Sequence, residues 1–94
     1  MDADSLKVEH HPEQNRFEIK VGDEIAILDY TLTRSTIVFT HTGVPPALEG
    51  RGIGSMLAKA GLEHAREKGY KVRSLCSFVS GYMERHPEYE DLLA

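Results

Sequence analysis

The sequence predicts an α+β fold, in which a mainly antiparallel five-stranded sheet carries a βαβ parallel pair and two helices. Three observations lead to this prediction. Residues 6–42 fall into short runs of alternating apolar and polar residues separated by turn-type residues. Residues 53–68 then follow helical spacing. Finally, residues 70–76 return to strand character before a second, shorter helical pattern.

The first four strands are predicted to form an antiparallel meander. A strand around Leu6 and Val8 is followed by turn-type residues 11–15 and by a second strand over residues 17–21. The third run, residues 24–33, is rich in β-forming residues and resembles a central strand, whose one face carries Ala26, Leu28, Tyr30 and Leu32. Residues 36–42 are mostly β-branched or apolar and supply the fourth strand.

The second half of the chain is predicted to cross over the sheet once. Residues 43–48 should not be helical, because they hold two prolines, which remove backbone donors and extend the preceding residue. A helix is expected from Ile53 to Lys68, stopped by Gly69. Its apolar stripe comprises positions 53, 56, 57, 60, 61 and 65, and Leu62 falls off it.

A fifth strand over residues 70–76 completes a right-handed βαβ unit with the fourth. Ser77 is a plausible N-cap for a second helix that ends near Arg85, and Pro87 stops it. The remaining tail is expected to add one more turn.

Composition places the chain in a broad class. Its 94 residues form one domain (1–94), with 40% hydrophobic and 28% charged residues. No apolar run is long enough to span a membrane, and the N-terminus lacks a signal-peptide pattern, so we expect a cytoplasmic protein without membrane contact. The net charge of −4 argues against direct nucleic-acid binding and favours a cationic partner such as an amine. The single cysteine, Cys76, excludes an internal disulfide.

The stretch Glu-Gly-Arg-Gly-Ile-Gly-Ser, residues 49–55, places glycines at alternate positions where the long helix opens. Backbone N–H groups at a helix start lack intrahelical partners, and glycines allow them to approach an anion. A plain glycine-rich connection is the alternative interpretation, since this pattern alone is a weak motif.

The order of elements resembles the acetyl-CoA motif of the Gcn5-related N-acetyltransferases. In both, a strand ends in an extended segment (here Val-Pro), a glycine stretch opens a helix, and a strand and a second helix follow. Three further blocks resemble the small, single-domain members of that family: residues 41–45 (His-Thr-Gly-Val-Pro), 76–79 (Cys-Ser-Phe-Val) and 85–89 (Arg-His-Pro-Glu-Tyr). The resemblance implies a GNAT-like fold with acetyl-CoA (CoA) as its cofactor.

The resemblance also implies a two-part cofactor site. The pyrophosphate would lie on backbone N–H groups of the glycine loop, namely Arg51, Gly52, Ile53, Gly54 and Ser55. The pantetheine arm would lie beside the end of the fourth strand, at Thr42, Gly43 and Val44, where that strand splays from the fifth. In this scheme the Val44 N–H donates to the thioester oxygen and stabilises the developing oxyanion.

The chain departs from the family pattern at three places. Glu49 stands where Gln or Arg is usual, and we expect it to point away from the phosphates or to leave them to Arg51 and the backbone. Met83 aligns with the tyrosine that often protonates the leaving thiolate, and Tyr82 lies one position away. The elements that complete the acceptor side in longer members have no counterpart, so that side is open or is completed by a partner or by self-association.

Two residues are candidates for catalysis. Cys76 would return a proton to the CoA thiolate or act as a nucleophile, and the alternative is a small buried hydrophobe. His41 would take a proton from the substrate ammonium, and the alternative is a strand-end ring packed on the sheet. The other histidines show no metal-ligand spacing, so no metal site is expected.

The predicted function is an acetyl-CoA-dependent N-acetyltransferase that transfers acetyl to a primary amine by direct attack in a ternary complex. The amine would be a lysine side chain, a polyamine or another small amine, on a small molecule or a protein. A second hypothesis is a CoA- or acetyl-CoA-binding or sensing module with little turnover. A third, a structural interaction domain, leaves the glycine loop unexplained.

Overall fold

The computed structural model describes residues 6–94; residues 1–5, on which the expectation about a signal peptide partly rests, lie outside the described part. Five strands form one sheet in the order β1-β2-β3-β4-β5. The strands are β1 (Val8–His11), β2 (Arg16–Val21), β3 (Glu24–Thr33), β4 (Thr36–Gly43) and β5 (Lys71–Ser74). The first four pair antiparallel, and β5 pairs parallel with β4. The helix α1 (Ile53–Lys68) connects β4 to β5, and α2 (Ser77–Arg85) follows β5. The predicted fold class is therefore confirmed.

Several boundaries differ from the predictions. The loop predicted to be non-helical contains a single 3-10 turn, Pro46–Leu48, closed by a 2.8 Å bond from Leu48 N–H to the Pro45 carbonyl. Such a turn tolerates Pro46 at its start, where no donor is needed. The tail also forms a 3-10 segment, Pro87–Leu92, as expected.

The strand β5 is shorter at both ends than predicted. At its start, Gly69 adopts a left-handed conformation, and Tyr70 N–H bonds the Ala65 carbonyl at 2.8 Å, so Tyr70 belongs to the end of α1. At the other end, the extended Cys76, rather than Ser77, is the N-cap of α2. In β3, Leu32 shares a face with Ala26, Leu28 and Tyr30 as predicted, but it lies near the end of the strand and is 43% exposed.

The buried stripe of α1 is wider than predicted and includes Leu62, which is fully buried. The helix lies very close to the sheet at Gly61, where an added Cβ would come within 2.8 Å of the Phe39 ring. The helix α1 also contacts α2, for example where Gly54 meets the Phe78 ring, and Ala58 is buried as well. Sequence periodicity missed this second contact because it assumed a single buried face.

One apolar core lies between the sheet and the two helices. It takes alternate residues from the strands, including Ile19, Leu28, Ile37, Phe39 and Val72, all fully buried. The residues between them, such as Ile25, Asp29 and Arg73, face the other side of the sheet and are exposed or half-buried. We call that side the open face, since the described helices pack on the other one.

A β-bulge interrupts β4 near its end. Tyr30 pairs with Phe39 and Asp29 pairs with His41, so Thr40 is an extra residue on β4. Without the bulge, alternation from Phe39 would turn His41 toward the helices. With it, Thr42 pairs with the buried Leu28 and faces the helices, while His41 faces the open side.

The C-terminal segment is tied to α1 by polar contacts. Tyr89 donates a 2.6 Å hydrogen bond to the Glu63 carboxylate, and Arg66 donates to both Asp91 oxygens at 3.0 and 3.1 Å. Burial and the bond to Glu63 raise the pKa of Tyr89 above its ordinary value. Within residues 6–94, no helix has both the length and the apolar character that crossing a membrane requires.

Candidate active site

The strands β4 and β5 separate at one end of the sheet. Their pairing ends at Phe39 and Ser74, with one more bond from Leu75 N–H to the Phe39 carbonyl at 2.9 Å. β4 nevertheless continues to Gly43, paired only with β3. Among the described residues, the edge of β4 that turns toward β5 therefore has no strand partner over residues 40–43. An extended molecule can pair there as an added strand.

The N-terminus of α1 faces this gap. Its N-cap, Gly52, has a φ of 74°, in the left-handed region that favours glycine, and no side chain caps the helix. A Cβ at Gly52 would meet nothing within 4 Å, so backbone conformation rather than crowding requires glycine there. The first N–H groups of the helix, from Ile53 to Ser55, have no intrahelical partners and can bind an anion.

A cleft of about 440 Å³ joins the gap and the helix start. Of the residues predicted to bind the cofactor, it is lined by Thr42, Val44, Gly52, Ile53, Gly54 and Ser55. Gly43 and Arg51 lie outside this lining, and Arg51 is exposed. Glu49, which was expected to point away from the phosphates or to leave them to Arg51 and the backbone, is exposed and is among the residues that line the cleft.

Phe78, on the first turn of α2, is a cleft residue that sequence reasoning missed. It lines the cleft, is 38% exposed, and its ring presses on the backbone of Gly54. A Cβ at Gly54 would lie 2.7 Å from the Phe78 Cζ atom. A side chain at residue 54 would therefore have to displace the Phe78 ring, whereas sequence reasoning assigned Gly54 only to anion binding. The sequence does show an aromatic residue on the first turn of the second helix, and this could have indicated that Phe78 contributes to the cleft.

Cys76 and Thr42 meet across the gap. The Cys76 thiol lies 3.1 Å from the Thr42 hydroxyl, and the cysteine is 8% exposed. The Cys76 carbonyl accepts from the Ser74 hydroxyl at 2.8 Å and from Ser80 N–H at 3.0 Å, which fixes the start of α2. The thiol is thus both a packed side chain and a member of a polar pair beside the cleft.

His41 lies on the other side of β4. Its ring covers Gly43 on the open face, since a Cβ at Gly43 would be 3.3 Å from His41 Nε2. The histidine is exposed and does not line the cleft. The structure therefore brings Thr42, Val44 and residues 52–55 of the glycine loop together in one cleft. Cys76 does not line the cleft and is joined to it through Thr42, and β4 separates it from His41.

Met83, which aligns with the family's tyrosine, and Tyr82, the neighbouring candidate for a replacement acid, are both buried. Tyr82 is buried, its ring stacked on His86 at 3.9 Å and next to Tyr89 at 6.2 Å. Burial raises the pKa of Tyr82. Met83 is also buried, so both side chains serve packing between α2 and the tail.

Comparison with known proteins agrees with this arrangement. Residues 16–92 match the GCN5-related N-acetyltransferase family. Protein NATD1 of Xenopus tropicalis is 30% identical over 88 residues, covering 90% of this chain and 81% of that protein. Protein NATD1 of Mus musculus is 33% identical over 85 residues, covering 87% and 77%. The solution structure of a GCN5-like putative N-acetyltransferase from Staphylococcus aureus superposes with a TM-score of 0.76 at 33% identity, covering 95% of this chain and 88% of that one. The chain belongs to the GCN5-related N-acetyltransferase family.

Proposed function

We propose that this protein is an acetyl-CoA-dependent N-acetyltransferase that acts on a primary amine. The observation that carries the proposal is the cleft that joins the unpaired edge of β4 to the N-terminus of α1. A ligand that fits both parts of the cleft would have an extended chain with amide groups, to pair with β4, and an anionic group at one end, to bind the start of α1. Membership of the family supports the same interpretation.

The residues of the cleft fit CoA. The uncapped N–H groups after Gly52 suit a pyrophosphate, because a helix start carries about half a positive charge. The edge of β4 at Thr42 and Val44 supplies backbone groups for the amides of the arm. Bound there, acetyl-CoA would supply an acetyl group activated as a thioester.

Cys76 and His41 divide the proton chemistry between the two sides of β4. A lysine-type ammonium has an ordinary pKa near 10.4, so an acceptor amine must lose a proton before it reacts. His41, which is exposed on the open face, or a water that it positions, would take that proton from an acceptor approaching there. Cys76, held by Thr42 beside the cleft, would give a proton to the leaving sulfur.

A glycine pair at the two ends of α1 tests the anion site. Gly52 and Gly69 have nearly the same φ, 74° and 75°, and a Cβ at either meets nothing within 4 Å. Gly52→Ala and Gly69→Ala should each cost about 1–2 kcal/mol of stability through backbone strain. Only Gly52→Ala should weaken acetyl-CoA binding, measured by calorimetry. Equal affinity in the two variants would refute the proposed site.

Turnover is tested by release of free CoA thiol with lysine peptides and polyamines. Cys76→Ala should lower the rate about 10²- to 10⁴-fold, the usual worth of a general acid, while acetyl-CoA affinity is kept. Thr42→Val removes only the hydroxyl partner of the thiol and should have a smaller effect. If turnover is unchanged in Cys76→Ala, Cys76 has no catalytic role and serves only in packing.

The burial of Cys76 and the stacking of Tyr82 favour a second candidate, a CoA-binding module with little turnover. Both candidates predict a higher melting temperature in acetyl-CoA, because a ligand that binds only the folded state stabilises it. They differ in thiol release, which the module would not show with any amine. If acetyl-CoA leaves the melting temperature unchanged, both candidates fail.

A further inference from the structure

Two carboxylates and an imidazole meet on the open face, at the edge formed by β1 and β2. Glu9 and Glu18 are directly opposite partners in the register of these strands, and His11 lies two residues after Glu9 on the same face. We call these three residues the edge cluster. In residues 6–94, it is the only set of three or more His, Cys, Asp or Glu side chains whose ligand atoms all lie within 4.8 Å of one another.

The distances within the edge cluster suit a metal ion. His11 Nε2 lies 3.1 Å from Glu9 Oε1 and 3.4 Å from Glu18 Oε1. Zinc binds imidazole nitrogen and carboxylate oxygen at about 2.0–2.2 Å in tetrahedral geometry, which places neighbouring ligand atoms roughly 3.3–3.6 Å apart. Only small side-chain movements would be needed to close these three groups on one ion.

The Glu18 carboxylate is a second, independent indication. Its side chain is 10% exposed, and it is the only charged residue that is buried in the described part of the chain. Its nearest cationic neighbours are His11, whose Nε2 lies 3.4 Å from Glu18 Oε1, and Arg16, whose Nη1 lies 3.8 Å from Glu18 Oε2. A carboxylate with so little exposure is costly unless cations compensate its charge, and both cationic contacts of Glu18 are long ones.

The cations near the edge cluster are engaged elsewhere or exposed. Arg16 donates to both oxygens of Asp29, at 2.7 and 3.3 Å. Lys20 approaches Glu9 only to 3.6 Å and is half exposed. Glu13 adds a further carboxylate, 3.5 Å from His11 Nδ1. Like charges directly opposite one another destabilise a strand pair, so Glu9 and Glu18 need positive charge between them.

We propose that Glu9, His11 and Glu18 bind a divalent transition-metal ion, with zinc as the preferred ion and water as its fourth ligand. Imidazole among the ligands favours zinc over magnesium or calcium, which prefer oxygen alone. The proposal opposes our expectation from the sequence that no metal site exists. That expectation rested on spacing along the chain, whereas cross-strand register brings Glu18 to the other two residues.

The test uses the whole chain, freed of metal by a chelator and then titrated with ZnCl₂ and, separately, with CoCl₂. We expect a rise in melting temperature with zinc and the visible absorption of tetrahedral cobalt. Glu18→Gln and Glu9→Gln should each weaken zinc binding by more than about tenfold, since even outer-shell partners are worth 10- to 100-fold. Glu9 is exposed, so its variant keeps the test valid if Glu18→Gln does not fold.

Two control variants locate the ion. Glu24→Gln removes an exposed carboxylate of β3 outside the cluster, and Cys76→Ala removes the free thiol. Both should bind zinc as the unsubstituted chain does. The proposal is overturned if zinc leaves the melting temperature unchanged, in which case His11 serves only as a hydrogen-bond partner of Glu9. It is also overturned if Glu9→Gln binds zinc as tightly as Glu24→Gln.

Discussion

On the helix-covered face of β4, Ile37 and Phe39 are fully buried, whereas Val38, between them, faces the other way and is only half-buried. The covered face is held by apolar packing. The open face is held by charged pairs such as Arg16 with Asp29. Substitutions on the covered face should therefore cost more stability than substitutions on the open face. Close-packed side chains tolerate little change in volume, whereas solvated ion pairs contribute little to the free energy of unfolding.

The largest expected loss of stability comes from removing a large side chain from the covered face. Phe39→Ala should lower the free energy of unfolding by about 3–5 kcal/mol, because the ring fills the space between Gly61 and the sheet. Val38→Ala, one residue away on the open face, should cost about 1 kcal/mol or less. Chemical denaturation measures both. Equal losses would mean that the two faces do not differ as described.

An intermediate effect is expected from the open-face ion pair. A double-mutant cycle with Arg16→Gln and Asp29→Asn should give a coupling energy of about 0.5–1 kcal/mol, since the pair is two-pronged but partly exposed. The coupling should shrink in about 1 M salt. The looser pair Lys20 and Glu9, 3.6 Å apart and more exposed, is the control and should couple less. A coupling that salt leaves unchanged would contradict a solvated pair.

The smallest effect near neutral pH concerns His10 and His64, where β1 meets α1. Their ring centres are 4.5 Å apart, His10 Nε2 lies 2.6 Å from the Tyr30 hydroxyl, and burial lowers the pKa of both histidines. Lys68 lowers both pKa values further, and Glu13 and Glu67 oppose the shifts.

The sign of the resulting pH dependence follows from proton uptake. Below a pH of about 6.5 the unfolded chain binds protons on these histidines before the folded chain does, so stability falls as the pH drops through that value toward the lowered pKa values. His64→Gln should reduce this fall, measured as denaturation midpoints at a series of pH values. Stability that rises on acidification in this range would contradict the lowered pKa values.

The element order, the crossover and the helix start could all be predicted, because glycine, proline and apolar spacing act locally. The glycine pattern likewise marked the start of the long helix, where Gly52 adopts the left-handed conformation that favours glycine. These features depend on neighbours in the sequence. The resemblance to a known family added the expectation that the end of β4 binds the pantetheine arm.

What could not be predicted depends on contacts between distant residues. The bulge at Thr40 depends on the pairing of β3 with β4, and no residue type in that run demands it. The role of Gly54 depends on where α2 lies, because the Phe78 ring that contacts it is far away in the sequence. The edge cluster depends on strand register. Each of these three features can be recognised only in the folded structure.

The bulge has a consequence for deletions. Because Thr40 is the surplus residue, losing that one codon would leave His41 and Thr42 on their present faces and restore an unbroken ladder with β3. Such a deletion removes the bend of the strand while keeping every side chain discussed for the chemistry. It would therefore separate, in a single genetic change, the contribution of strand curvature to the cleft from that of the residues lining it.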